Sequence, residues 1–533
     1  MSTFEPNRER IFNDLSALVS FNSPHSVPDL ADEHAAAADW VAAALAERGL
    51  EVERHATVDK ADAIIGRRHV SDDAPTVLLY SHYDVVPAGD PAAWTADPFT
   101  LTERDGRWYG RGAADCKGNV AMHLEALRLI DEADGPQANL IVLVEGSEEL
   151  GGGGLEKLIQ DKPSLFEADI ILIADSGNVT VGTPTLTTAL RGGAQLKVTV
   201  ETLRGAIHSG TFGGPAPDPV AALIRTLDSL RDASGRTTID GLGDALTATW
   251  PGQPYDADAF RNDAGVLDGV SLMGDIESAA PSENAADMVW ARPAVTIIGF
   301  TSTPVSEAVN AIVPRAEAQL NLRVPAGMDP AAAAEALKQH LINHTPWGAK
   351  VNVEIFDINH GFSTDPSRPA IALLGECLQE AYQEAAGSDP AVTASTDLVT
   401  VGSGGSIPLT ATLQEHFPDA AIAMYGVEDN NAGIHSVDES VHPYEIERVA
   451  VAEAKFLQRV ASLSGWGRAG PEARGPGPGL AFTEPDTSSP ISSQNCRNSG
   501  CRYWGLCRRG EMRRVVGARL HRRSARESAA GTA

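Results

Sequence analysis

The chain has 533 residues, too many for one ordinary compact domain. Apolar residues make up 43% and charged residues 21%, a globular profile, and the net charge of −30 argues against nucleic acid or an anionic membrane as a partner of the body. The start MSTFEPNRERIFNDLSALVS lacks the basic, then apolar, pattern of a signal peptide, no apolar run is long enough to span a bilayer, and the five cysteines suggest no disulfide framework, so a cytoplasmic protein is expected.

In chain order, residues 31–48 are Ala-rich and predict a helix ended by Gly49. TVLLYSH (76–82), NLIVLVEG and DIILIADSG are short apolar runs with β-branched residues, read as buried strands, and GNVAMHLEALRLI (118–130) has helical spacing. Continuous apolar strands separated by helices predict a mostly parallel sheet covered on both faces. The pattern changes near Arg191. AQLKVTV alternates, a helix follows at 218–231, then a long polar insertion at 232–291. AVTIIGF, RAEAQLNLRV, a helix at 330–343 and KVNVEIF complete a β-α-β-β-α-β order, the ferredoxin-like split unit. A helix at 370–386, AIAMYGV and a closing helix at 444–463 resume the first pattern. The predicted organisation is an α/β catalytic domain (1–187 and 363–465) interrupted by an α+β ferredoxin-like lid and dimerisation domain (188–362). A tail (466–533) with twelve Arg against five acids, rich in Gly and Pro, is expected to be disordered.

Ligands of open α/β sheets collect at the carboxyl ends of the strands. His82 and Asp84 end the first buried strand, Glu148 and Glu149 the second, Asp175 the third, and His435 follows AIAMYGV. Asp115 lies in YGRGAADCKGN, just before a helix. Singly, each has an ordinary structural explanation: an Asp before a helix caps it, and a His at a strand end is usually hydrogen-bonded structure. Together, so many carboxylates at one sheet edge would repel strongly without a cation. One bridging carboxylate plus one His and one acid for each of two metals needs five ligands: His82, Asp115, Glu149, Asp175 and His435.

The segments SHYDVVP, GRGAADCKG, EGSEELGG, ADSG and GIHSVDE, in this order, resemble the M20 family of di-zinc aminoacylases and peptidases over residues 5–463. The resemblance implies that His82 and Asp175 bind one zinc, Glu149 and His435 the other, and that Asp115 bridges them; Mn²⁺ or Co²⁺ would also suit these ligands. It implies a water between the metals with Glu148 as general base, and Asp84 behind His82 as its orienting carboxylate. It implies that His208, in LRGAIHSGTFGG, reaches a partner's active site to steady the oxyanion, and hence a homodimer through the inserted domain. Asn310 and Arg323 match substrate-contacting positions. Arg323 and the glycine-rich loop VGSGGSIP, with Ser406, could grip a terminal carboxylate, although a structural salt bridge competes for Arg323. The length of the insertion and MVWARPAVTIIGF resemble the dipeptidase branch. Dipeptides are therefore the expected substrates, with N-acetyl or N-succinyl amino acids as the alternative. A non-catalytic binding protein is disfavoured because every ligand and the base are present.

Overall fold

The computed structural model describes residues 4–133, 135–275, 284–395, 397–405 and 407–463. The tail at 466–533 and Ser406 lie outside the described residues.

Thirteen strands, taken in chain order, form two sheets. They are β1 (Glu51–Ala56), β2 (Asp62–Arg68), β3 (Thr76–His82), β4 (Asn139–Glu145), β5 (Ile170–Ala174), β6 (Thr185–Leu190) and β7 (Gly192–Glu201), then β8 (Ala294–Thr301), β9 (Arg315–Val324), β10 (Lys350–Asn359), β11 (Phe362–Ser363), β12 (Val399–Ser403) and β13 (Ala421–Tyr425). The large sheet runs β1-β2-β4-β3-β5-β13-β6-β11, with β12 beside β6. Its centre is parallel: β3 pairs β4 and β5, and β5 pairs β13. The hairpin β1–β2 and the short β11 join its edges antiparallel. The parallel centre follows from sequence. Val77 and Leu79 of β3 pack into one core with the helices Lys117–Asp131 and Pro443–Arg459. Leu78 and Tyr80 pack into the opposite core with Leu155, Phe166 and Leu413. A strand apolar at every position can be satisfied only between two helical layers.

The second sheet has the order β8-β9-β7-β10, all antiparallel. With the helices Pro219–Asp228 and Pro330–His344 between its strands, this is the ferredoxin-like arrangement. Its separate core is made by Leu196, Val198, Leu320, Leu322, Leu337 and neighbours. β9 alternates buried and half-exposed residues, so one face meets the helices and the other is left open.

Two local expectations differ. Residues 401–403, read as part of a glycine-rich loop, end the strand β12, because the β-branched run Val399-Thr400-Val401 pairs parallel to β6. β6, TLTTAL, escaped the sequence reading; its threonines lie buried in the sheet. Among the described residues, no helix is long and apolar enough to cross a membrane.

Candidate active site at the strand ends

The carboxyl ends of β3, β4, β5 and β13 bring most of the predicted residues together. His82 ends β3 and is fully buried. Its Nε2 lies 3.0 Å from Asp115 Oδ1 and 3.2 Å from Asp175 Oδ1. His435, half-exposed, places Nε2 3.0 Å from Asp115 Oδ2 and 3.0 Å from Glu149 Oε2. Asp115 is therefore shared: one carboxylate oxygen faces each imidazole. It does not cap the helix that follows; Cys116 occupies that position, and the Asp115–Cys116 peptide is cis.

Glu148 and Glu149 open a one-turn 3-10 helix beyond β4. Glu149 turns toward His435, whereas Glu148 Oε2 stands 3.9 Å from His82 Nε2 and lines the cavity. Asp84 sets this divergence. Its two oxygens accept the backbone N–H groups of Glu148 (3.2 Å) and Glu149 (3.1 Å), while Oδ1 lies 3.2 Å from His82 Nδ1. One buried carboxylate thus fixes both the imidazole and the turn carrying the two glutamates.

The charges show the strain expected of so many acids. Burial and repulsion from Asp175 push Glu148 up to about 9. Burial also raises Glu149 and Asp175. Hydrogen bonds to Asp115 and Glu149 lift His435 to about 10. For Asp115, burial is outweighed by the hydrogen bonds from His435 and His82, which hold it below the usual carboxylate range. Two trios emerge, each an imidazole nitrogen and a carboxylate oxygen sharing Asp115. Their ligand-to-ligand separations of 3.0–3.2 Å approach the edge of roughly 3.3 Å in a tetrahedral shell with bonds of about 2.0–2.1 Å. The donor set therefore fits two divalent cations with a taste for nitrogen and oxygen.

Three residues were not anticipated. Glu428, three residues beyond β13 at the end of the AIAMYGV run, lies with Asp115 and Asp175 oxygens within one metal-sized group. Its backbone is locked to the loop after β5, where its carbonyl accepts Asn178 N–H at 2.8 Å. A Cβ on Gly177 would sit 2.3 Å from Glu428 O, so only glycine permits this approach. Among the described residues, the Glu428 carboxylate has no hydrogen-bond or ion-pair partner, and it lines the cavity. Applying the strand-end rule to β13 itself would have found it. Glu439 is buried and accepts N–H groups from Gly112, Ala114 and Asp115, each at 3.0 Å, and Arg111 at 2.6 Å, which holds the Asp115 loop in place. Arg191, just past β6, has a buried Nε without a hydrogen-bond partner among the described residues. Burial and the nearby Arg323 lower its pKa to about 10.

The remaining candidates lie elsewhere. His208 is exposed on a two-residue ribbon paired with Ala311, and its Nδ1 accepts Thr211 N–H at 3.2 Å. Asn310 is exposed beside it, its carbonyl accepting Ser209 N–H at 2.9 Å. Arg323 sits on β9 opposite Ala294 and Gly193. None of the three lines the cavity, of about 800 Å³, that holds Asp115, Glu148, Asp175, Glu428 and His435. The structure brings His208 and Asn310 together, but apart from the acids of their own chain.

Comparison with known proteins agrees with this architecture. Among curated proteins, the cysteinylglycine-S-conjugate dipeptidase of Corynebacterium striatum is 59% identical over 453 residues, covering 85% of this chain and 96% of that protein. The human Beta-Ala-His dipeptidase is 28% identical over 402 residues, 72% of this chain and 74% of that protein. The crystal structure of human carnosine dipeptidase 1 superposes with a TM-score of 0.66 at 23% identity, covering 86% of this chain and 97% of that one, and so shares the fold. Residues 78–459 match the model of peptidase family M20/M25/M40, a span that takes in His82, the shared Asp115, both glutamates, Asp175 and His435. On this match and on the 59% identical relative, the chain belongs to peptidase family M20/M25/M40.

Proposed function

We propose that this protein hydrolyses the amide bond of dipeptides, with two divalent cations held at the strand ends and Glu148 as general base. Family membership implies a dinuclear metal site and a metallohydrolase. The observation that carries the reading is the pair of trios sharing Asp115, with Glu148 beside them but in neither. His82 and Asp175 would hold one cation, Glu149 and His435 the other, and Asp115 both; zinc suits the donors, and Mn²⁺ or Co²⁺ are alternatives. When bound, the cations polarise the scissile carbonyl and lower the pKa of the attacking water. Glu148, whose carboxylate has no hydrogen bond from the described residues to fix its proton, takes one from that water and delivers it to the leaving amine. Asp84 keeps His82 and the glutamate turn in register.

Glu428 supports dipeptides over N-acyl amino acids. A carboxylate without a partner among the described residues, facing the cavity next to Asp175, meets a free ammonium with a charge-assisted hydrogen bond, whereas an acetyl or succinyl group in that place brings no positive charge. The relatives named as dipeptidases support the same choice. Arg191 and the neighbouring Arg323 do not line the cavity in this structure; we read them as the guanidiniums that meet the substrate's terminal carboxylate once the inserted domain closes over it. We read His208 and Asn310 as oxyanion donors to a partner subunit, because both are exposed and neither reaches the acids of its own chain. This implies a homodimer through the domain at 188–362, whose edge strand β8 exposes Ile297, Ile298 and Phe300. The division into a catalytic domain and an inserted domain is supported by the separate cores of the two sheets, with the large sheet extending past the expected bounds of 187 and 363 to Leu190 and Phe362. Two free, buried thiols, Cys116 and Cys377, are consistent with a cytoplasmic location.

The deciding experiment assays unmodified dipeptides against N-acetyl and N-succinyl amino acids with zinc, manganese or cobalt added. Turnover of dipeptides is expected; turnover of the acylated compounds alone overturns the reading.

A further inference from the structure

The cavity has two unlike ends. Asp115, Glu148, Asp175, Glu428 and His435 form one. The other is built by residues 253–263 and Trp290 of the insertion, read from sequence only as polar. There Tyr255 stacks on Trp290, ring centroids 5.6 Å apart and 18° between planes, and both line the cavity. Trp250 braces Trp290 edge-on at 5.3 Å, and Phe260 braces Tyr255 at 5.3 Å. The wall is fastened to the large sheet. A Cβ on Gly402 would lie 2.7 Å from Trp290 Cγ, so the indole rests directly on the backbone of β12. Gln253 N–H donates to Thr400 O at 3.3 Å. Asp287 ties the segment to itself, accepting Trp250 N–H at 2.7 Å and Asn284 N–H at 3.0 Å. The Tyr255 hydroxyl is already committed to Asp263 at 2.6 Å, which leaves its ring rather than its polar tip to offer. Val399, Val401 and Ile407 continue the apolar lining.

We infer that Trp290 and Tyr255 form a side-chain subsite selecting dipeptides that carry one bulky apolar group. The inference rests on the dipeptidase reading and adds to it the substrate class. Three physical points support it. Braced aromatic rings offer a large apolar surface at little entropic cost. A cavity of about 800 Å³ is far more than the two backbones of a small dipeptide require. The wall is continuous with the acidic end, so a molecule held by its peptide bond there places a long side chain here.

The test measures kcat/KM for two series, X-Gly and Gly-X, with X running from alanine through leucine and phenylalanine to S-benzylcysteine; the series that responds tells which residue carries the group. Wild type should prefer large X in one series. Trp290→Ala should lower kcat/KM for the largest X by about 10–100-fold and change Ala-Gly by less than about threefold; Trp290→Phe should keep most of the preference. Gly402→Ala, which displaces the indole from the sheet side without removing it, should blunt the same preference and guards against a simple folding defect in Trp290→Ala. A wild type indifferent to the size of X, or variants that lose all substrates equally, overturns the inference. If wild type turns over no dipeptide, the dipeptidase reading fails by itself. Calorimetry of S-benzylcysteine against alanine then decides the subsite: binding of the former weakened selectively by Trp290→Ala supports it, and equal binding overturns it.

Discussion

The strand ends of the large sheet and the open face of the four-stranded sheet place polar residues in opposite ways. At the strand ends, His82, Asp84 and Glu439 are fully buried, and each has defined partners within the chain. On the second sheet and its ribbon, His208 and Asn310 are exposed, and nothing from their own chain fixes them near the chemistry. Buried charges in a low-dielectric site are costly unless a counter-charge completes them. Exposed ones cost nothing and wait for a ligand or partner. On the function proposed above, the first region is a site that one chain assembles for cations, and the second is a set of groups that gains a role only on closure or association.

The largest effect should come from removing what the first region is built to hold. Chelation should abolish dipeptide turnover, and zinc, manganese or cobalt should restore it, while metal analysis follows two ions per chain; activity in demonstrably metal-free protein would break the comparison. Glu148→Gln should retain both ions and lose kcat by about 10²–10⁴-fold; normal activity in that variant removes Glu148 from its role. For the second region, His208→Ala should cost about 10²–10³-fold in kcat. Mixing His208→Ala with Glu148→Gln chains should then recover a part of the activity, because in a mixed dimer one site has both groups. No recovery, with mixed dimers proven by tagged co-purification, argues against a contribution from the partner subunit. Arg191→Met or Arg323→Met should raise KM by roughly 10–100-fold, the size of a lost charged hydrogen bond, with kcat less affected.

The smallest effect concerns a buried acid outside the two trios. Glu445 accepts Gly182 N–H at 2.8 Å and is also bonded by Tyr382 and Asn178; burial pushes it up to about 7. An acid whose folded pKa is raised contributes its full stability below its unfolded value of 4.5 and loses it as pH rises toward 7. Between pH 4.5 and 7 this loss amounts to at most about 3 kcal/mol. Glu445→Gln should flatten that part of the profile in urea unfolding; an unchanged slope would show that Glu445 is not the titrating group.

Much of the catalytic end was legible because continuous apolar strands announce where they stop, and the residue at each stop lands on one edge of a parallel sheet. This placed His82, Asp84, Glu148, Glu149, Asp175 and His435 before any coordinates. The same rule reaches Glu428 only when it is applied at the end of the AIAMYGV run rather than at His435 beyond it, and it does not reach Arg191, because TLTTAL does not look like a strand. Threonines in a buried strand are satisfied by tertiary neighbours, as Thr188 Oγ1 is by Val401 O at 3.2 Å, and local pattern does not reveal that.

By itself, then, the sequence determined the fold class, the parallel centre of the large sheet, the order of the inserted sheet's elements and most of the acids and imidazoles of the strand ends, since hydrophobic periodicity and strand termini are local properties of the chain. Only the tertiary structure decided which oxygen of Asp115 faces which histidine, that Asp84 turns Glu148 and Glu149 apart, and that an insertion read as polar supplies the aromatic wall. Those depend on distances between segments hundreds of residues apart, such as Trp290 against Gly402 and Asp115 against His435, and such distances exist only once the core has packed.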